Sequence, residues 1–156
     1  MGNPEINGGI TMIPKFRVWI LNTKEMEKVV SIDMTSDVIT CEIEVNSECT
    51  YGPLFITGED PDAVLMQSTG LKDKNGVDIY VGDILLSTAS ENQEDWRTWR
   101  VHYADGRFLI DYKDIPKDKR KRANLELEDL CEDNIWFYGL EVIGNIYETP
   151  ELMEVE

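Results

Sequence analysis

The stretch Val64–Leu86, VLMQSTGLKDKNGVDIYVGDILL, decides the fold of this chain. Its centre, Lys72–Gly76, predicts a turn, because the Asn-Gly pair tolerates positive φ and is a strong hairpin signal. Residues 77–81 then alternate between apolar and polar side chains, which is the period of a half-buried strand. Gly82-Asp83 breaks the alternation before a short apolar strand resumes. The stretch therefore predicts two or three short strands joined by polar turns.

The same pattern extends in both directions along the chain. Downstream, residues 99–103 and 108–112 alternate on either side of an Asp-Gly turn, and a third apolar run covers 140–147. Upstream, residues 16–20 and 39–45 alternate in the same way. Several short strands at turn spacings of roughly 8–12 residues predict a small barrel or sandwich. Asn124–Leu130 fits either a short helix capped by Asn124 or a strand.

Three segments carry a resemblance to a known family. They are Lys15–Trp19 (KFRVW), Val64–Leu86 and Glu141–Leu152 (EVIGNIYETPEL). Their order and separation resemble the landmarks of the YopX family. Two positions depart from the family pattern: Ser68 replaces a usual aromatic, and Val81 replaces a usual acid before Gly-Asp. The resemblance implies a mostly β product of a bacterial phage or prophage, and it implies no particular reaction.

These observations predict a mainly β fold with at most one or two short helices. We expect a small β domain over residues 15–56, coupled to an SH3-like, partly open barrel. The predicted division is a disordered extension at 1–12, an N-terminal β segment at 13–60 and the barrel region at 61–156. The hinge is the polar connector Gly58–Asp62, because the residue before proline is pushed out of helical geometry.

Charge and composition exclude several classes of protein. The formal net charge is −16, which argues against nucleic-acid binding, since that binding relies on Lys and Arg contacts to phosphates. The sequence lacks an apolar run of about 20 residues, so a membrane span is not expected. Three cysteines without metal-binding spacing predict reduced thiols and a cytoplasmic location in the bacterial host.

One basic segment, Lys113–Arg122, departs from the acidic average. It holds six of the fifteen basic residues and precedes an acidic stretch. It is either a solvated connector neutralised by that stretch or a loop that contacts an acidic partner or nucleic acid. Its candidate contact residues are Lys117, Lys119, Arg120, Lys121 and Arg122.

The stretch Val64–Leu86, which we call the signature stretch, predicts structural turns rather than a catalytic site. No nucleophile–base pair is apparent, and His102 is the sole histidine. We therefore predict no enzymatic activity, no cofactor and no metal ligand, with Asp73, Asp78 and Asp83 as the alternative carboxylate set for a divalent cation. The residues assigned to architecture are Gly70, Asp73, Gly76, Tyr80, Gly82 and Asp83.

Aromatic content and unpaired strand edges predict a role in protein contacts. Four tryptophans exceed what one small core needs, and tryptophan is enriched at interfaces. The candidates are Trp19, Trp96, Trp99 and Trp136. The sequence thus predicts a non-catalytic phage accessory protein that forms homo-oligomers and binds a phage or host protein. Two alternatives stay open: an acidic nucleic-acid mimic that inhibits a host factor, and a metal-dependent enzyme.

Overall fold

The computed structural model describes residues 14–35, 39–46, 49–93, 96–112 and 127–153. These residues form two antiparallel sheets, and neither sheet closes into a barrel within them. The predicted mainly β class is confirmed. Residues 1–12, predicted to be disordered, and the basic segment 113–122 lie outside the described ranges. In the part of the chain described, no helix is long and apolar enough to span a membrane.

The first sheet has six strands, which are β1 (Phe16–Ile20), β2 (Glu25–Asp33), β3 (Thr40–Asn46), β4 (Cys49–Phe55), β5 (Ala63–Lys72) and β6 (Asp78–Tyr80). Their order in the sheet is β4-β3-β2-β1-β5-β6. β1 lies at the centre, where Val18 is opposite Glu27 of β2 and Leu65 of β5. The alternating pattern of residues 39–45 forms β3, as the sequence predicts.

Asp62 links β4, at one edge of the first sheet, to the residue that follows the central strand β1. Its N–H donates to the Phe55 carbonyl at 2.8 Å, and its own carbonyl accepts from the Leu21 N–H at 2.9 Å. Its carboxylate also accepts a hydrogen bond from the Phe55 N–H at 2.9 Å. The sheet therefore curls around a core composed of Val18, Ile20, Cys41, Ile43, Leu54 and Ala63.

The second sheet has five strands, which are β7 (Asp83–Ser87), β8 (Arg97–Ala104), β9 (Arg107–Tyr112), β10 (Leu127–Asp129) and β11 (Leu140–Asn145). Their order in the sheet is β10-β9-β8-β7-β11. The β8–β9 hairpin turns at Asp105-Gly106 and places Tyr103 opposite Phe108, as the alternation predicts. Helix α1 (Glu132–Tyr138) lies between β10 and β11 in the chain, and a 3₁₀ turn (Pro150–Met153) follows β11. The second core contains Ile79, Leu85, Val101, Ile110, Leu130, Ile135 and Leu140.

The signature stretch belongs to both sheets at once. β5 and β6 complete the first sheet, whereas the side chain of Ile79 in β6 packs in the second core. The connector predicted as a hinge, Gly58–Asp62, joins β4 to β5 within the first sheet. The first sheet therefore extends past the predicted boundary at residue 60.

Two local features refine the sequence interpretation. Of the two alternatives for Asn124–Leu130, the structure shows a strand over Leu127–Asp129, within the described part of the segment. The helix lies immediately after it. Glu132 and Asp133 occupy its first turn, where carboxylates interact well with the helix dipole, and Gly139 ends it with φ 59°. These residues can be recognised in the sequence as signals for the two ends of a helix, whereas the spacing of the apolar residues alone does not predict α1.

Candidate functional site

A buried ion pair joins the two sheets at the end of the signature stretch. Asp83, the first residue of β7, is 0% exposed. The Arg17 guanidinium of β1 donates to its Oδ1, and the Tyr80 N–H donates to its Oδ2 at 2.8 Å. Both carboxylate oxygens are thus engaged by the protein itself. This arrangement fits a structural role, in which the ion pair links the two sheets, better than the role of a catalytic acid or base that a substrate could reach.

The Tyr80 ring completes this link from the first sheet. The Arg17 guanidinium carbon lies 4.4 Å from the ring centroid, within the range of a cation–π contact. Burial raises the pKa of Asp83, although Arg17 and the Tyr80 N–H act in the opposite direction. Burial likewise raises the pKa of the Tyr80 phenol. Arg17 has no role in the sequence interpretation, because a single arginine in an alternating strand gives no sign of its distant partner.

Asp73 organises the preceding turn and connects it to β11. Its Oδ1 accepts hydrogen bonds from Asn75 N–H at 2.8 Å and Val77 N–H at 2.9 Å. Its Oδ2 accepts from the Val142 N–H at 2.9 Å. Since the Asp73 side chain is buried, these three amides have replaced water around the carboxylate. The turn therefore covers one edge of β11.

The glycines of the signature occupy backbone positions that disfavour other residues. Gly70, Gly76 and Gly82 have φ values of 79°, 86° and 91°. A Cβ added at Gly82 would lie 3.0 Å from the Met66 Cε, whereas a Cβ at Gly76 would meet open space. Gly76 is thus required by conformation alone, and Gly82 by conformation together with packing.

The third carboxylate of the signature faces different partners. Asp78 accepts a hydrogen bond from the Lys72 ammonium at 2.6 Å, which lowers the pKa of Asp78, and Lys15 lies 3.7 Å away. Asp73, Asp78 and Asp83 therefore have separate partner sets. Among the described residues, no group of His, Cys, Asp and Glu side chains is arranged to hold a metal ion.

The four tryptophans lie in different environments. Trp19 is buried and stacks against Tyr147 at 6.3 Å between ring centroids. Trp96 donates its indole N–H to the Ser90 carbonyl at 2.9 Å. Trp99 packs on the second core and contacts Tyr138. Only Trp136, at 71% exposed, presents most of its side chain to solvent within the described residues.

Helix α1 presents an aromatic pair to solvent. Trp136 is followed by Phe137, which is 72% exposed, and we call these two residues the α1 aromatic surface. The helix is anchored by the buried Ile135, and the Phe137 ring lies edge-on to Tyr138 at 4.9 Å. Trp136 also lines a groove of about 580 Å³ formed with the signature turn at residues 70–76. Phe137 is absent from the predicted contact residues, because its exposure depends on how the helix packs.

The remaining candidates are placed as follows. His102 lies half-buried in β8 opposite Leu109, and its Nδ1 has no hydrogen-bond partner within the described ranges. Cys41 and Cys131 are free thiols. The predicted contact residues Lys117, Lys119, Arg120, Lys121 and Arg122 lie outside the described ranges.

Comparison with known proteins gives a family and a fold. The sequence profile of the YopX protein family matches residues 15–154. The chain also resembles the crystal structure of protein EF1440 from Enterococcus faecalis, with 36% identity and a TM-score of 0.63. That alignment covers 91% of this chain and 99% of the other. No curated protein matches the sequence. Because the profile covers all three landmark segments, this chain belongs to the YopX family.

Proposed function

We propose that this protein is a non-catalytic phage or prophage accessory protein that acts through protein contacts and self-associates. The α1 aromatic surface supports the proposal, because adjacent large apolar side chains at this exposure are unusual on an isolated soluble domain. A non-catalytic role is consistent with the signature stretch, because its buried carboxylates are already hydrogen-bonded to Arg17 and to backbone amides. Membership in the YopX family supports a phage-type protein inside the bacterial cell.

The proposed occupant of the α1 aromatic surface is a second copy of the chain. A two-fold interface would place both aromatic pairs face to face, since such an interface uses the same patch on each subunit. Each buried aromatic side chain removes about 150–250 Å² from water. The buried Ile135 anchors the helix that carries the pair, so association orders the two aromatic side chains but does not have to order the backbone beneath them.

Multi-angle light scattering at increasing concentration tests this function. The wild-type chain is expected to form a defined oligomer, and Trp136→Ser/Phe137→Ser is expected to stay monomeric. Val30→Thr is a matched control, because it also makes an exposed apolar side chain polar, on β2. A wild-type chain that remains strictly monomeric, or a double variant that associates like the wild type, would contradict the proposal.

A further inference from the structure

A second surface lies at the open end of the first core, away from α1. It is a groove of about 690 Å³, within the range of roughly 300–1,000 Å³ typical of binding sites. One wall is the β1–β2 turn and the start of β2, and the other is the connector at residues 60–62. We call it the acidic groove. Its apolar lining consists of Ile20, Leu21, Ile43, Tyr51, Leu54 and Pro61, and its acidic lining of Glu25, Glu27, Asp60 and Asp62.

The groove follows from the way the first sheet curls. Asp62 connects Phe55 of β4 with Leu21 beyond β1, so the core is closed along its side but open at this end. The buried side chains of Ile20, Ile43 and Leu54 form its floor. Ligand sites are typically concave and mostly apolar with a few polar groups, and this uncovered end of the core has that form.

The rim of the groove is negative. Four carboxylates line it, and none of its described lining residues is Lys or Arg. Lys28, the neighbouring cation on β2, pairs at 2.5 Å with Glu44 of β3. Lys24 is in the β1–β2 turn but does not line the groove. The surface therefore complements a positively charged ligand.

Two exposed apolar side chains stand among these carboxylates. Tyr51 is 62% exposed and Leu21 is 43% exposed. A tyrosine ring next to carboxylates suits Lys or Arg, since a cation gains from both the ring face and the negative charge. The same ring and Leu21 extend the apolar floor toward solvent. The acidic groove therefore favours a ligand that has both an apolar group and a positive charge.

We propose that the acidic groove binds a segment of a partner protein in which an apolar side chain is flanked by Lys or Arg. The apolar side chain lies on Ile20, Ile43 and Leu54, and the flanking cations contact Glu25, Asp60 and the Tyr51 ring. The volume accommodates a few side chains, as in a short linear segment. This binding is separate from self-association through α1, so either can fail while the other holds.

Fluorescence anisotropy of the full chain tests the electrostatic part. The probe is a fluorescein-labelled, amidated hexapeptide, Lys-Arg-Leu-Phe-Arg-Lys. Glu25→Lys/Asp60→Lys is expected to weaken binding about tenfold or more. Glu91→Lys/Glu151→Lys makes the same change in net charge at exposed positions outside the groove, and should alter binding by only about twofold. Glu25→Gln/Asp60→Asn provides a neutral variant if charge reversal impairs folding.

The apolar part is tested with a second peptide and a second variant. Lys-Arg-Ser-Gly-Arg-Lys, which keeps the charges, is expected to bind about tenfold more weakly than the first peptide. Tyr51→Ser should weaken the first peptide, whereas Trp136→Ser/Phe137→Ser should bind it like the wild type. Equal binding of both peptides, or equal losses in the groove and control charge variants, would show general attraction to an acidic protein and overturn the proposal. The absence of peptide binding by the wild type would overturn it as well.

Discussion

At the scale of single residues, burial separates two kinds of ion pair in this protein. The side chains of Arg17 and Asp83 are 20% and 1% exposed, and those of Lys28 and Glu44 are 74% and 37% exposed. Water screens the second pair, so that it contributes little to stability. The first pair is different, because a buried charge that loses its partner is left without solvation.

We therefore expect Asp83→Ala to lower the free energy of unfolding by about 3 kcal/mol. This exceeds the roughly 1 kcal/mol expected for a single lost cap-type hydrogen bond. The substitution leaves the Arg17 guanidinium and the Tyr80 N–H without their acceptor. Glu44→Ala is the matched control and should lower it by less than about 1 kcal/mol. Urea denaturation measures both values, and similar losses in the two variants would show that the link between the sheets is unimportant.

Protonation gives a second test at this scale, because the pKa values of two carboxyl groups are shifted in opposite directions. Burial raises the pKa of Asp83 above its ordinary value of 3.8. A hydrogen bond from Lys74 lowers the pKa of Glu141 below its ordinary value of 4.5. A raised pKa stabilises the fold at low pH, and this contribution disappears as the pH rises through the folded-state pKa. A lowered pKa has the reverse effect.

The expected outcome is a pair of opposite trends. As the pH falls from neutral toward 3.8, the stability of the wild type should increase relative to Asp83→Asn. As the pH falls below 4.5, the stability of the wild type should decrease relative to Glu141→Gln. Urea denaturation at a series of pH values at which the three proteins remain folded provides the measurement. Parallel trends in the two variants would be inconsistent with these assignments.

At the scale of elements, one turn controls the edge of a strand. The Asp73 carboxylate bonds its own turn through Oδ1 and the Val142 amide of β11 through Oδ2. Asparagine retains one acceptor oxygen but presents an amide group at the other position. The N–H groups of the turn and of Val142 in β11 can then no longer all have a hydrogen-bond acceptor.

We predict that Asp73→Asn destabilises the protein by about 1–3 kcal/mol, the range for an unsatisfied buried donor. If asparagine keeps its oxygen toward the turn, the Val142 amide loses its acceptor. Hydrogen exchange should then accelerate at Val142 more than in the β8–β9 hairpin. Glu141→Gln serves as the neighbouring control, because it changes a half-buried ion pair with Lys74 and leaves the Val142 amide bonded. Unchanged exchange at Val142 would refute the assigned role of Asp73.

At the scale of the whole molecule, the net charge of −16 acts on the two proposed contacts in opposite ways. Two copies that meet through the α1 aromatic surface repel one another, whereas a basic segment in the acidic groove is attracted. Salt screens both effects. Between about 0.1 M and 1 M salt, the screening length falls from roughly 10 Å to 3 Å.

Raising the salt concentration over this range is therefore expected to strengthen self-association and to weaken binding of the basic, apolar hexapeptide. Light scattering and fluorescence anisotropy on the same samples measure the two responses. The control peptide without apolar side chains should lose binding more completely, because it has only charge to hold it. If salt weakens self-association, the contact between copies depends on ion pairs and not on Trp136 and Phe137.

The sequence alone determined the class of the fold, the positions of most turns and the family. Period-two alternation and turn-forming pairs such as Asn75-Gly76 act within a few residues, so they can be read without knowledge of distant contacts. The same applies to the landmark segments, which follow one another in order along the chain. The positive φ values of the signature glycines belong to this local information as well.

Only the tertiary structure decided which distant groups meet. Arg17 and Asp83 are separated by 66 residues, and Asp73 and Val142 by 69. Such contacts depend on strand order and register, and one sequence does not specify them because many pairings satisfy the same alternation. The exposure of Trp136, the burial of Trp19 and the opening of the acidic groove follow from that pairing. The turns and strands of this chain could therefore be predicted from its sequence, whereas its exposed surfaces depend on how the sheets pack.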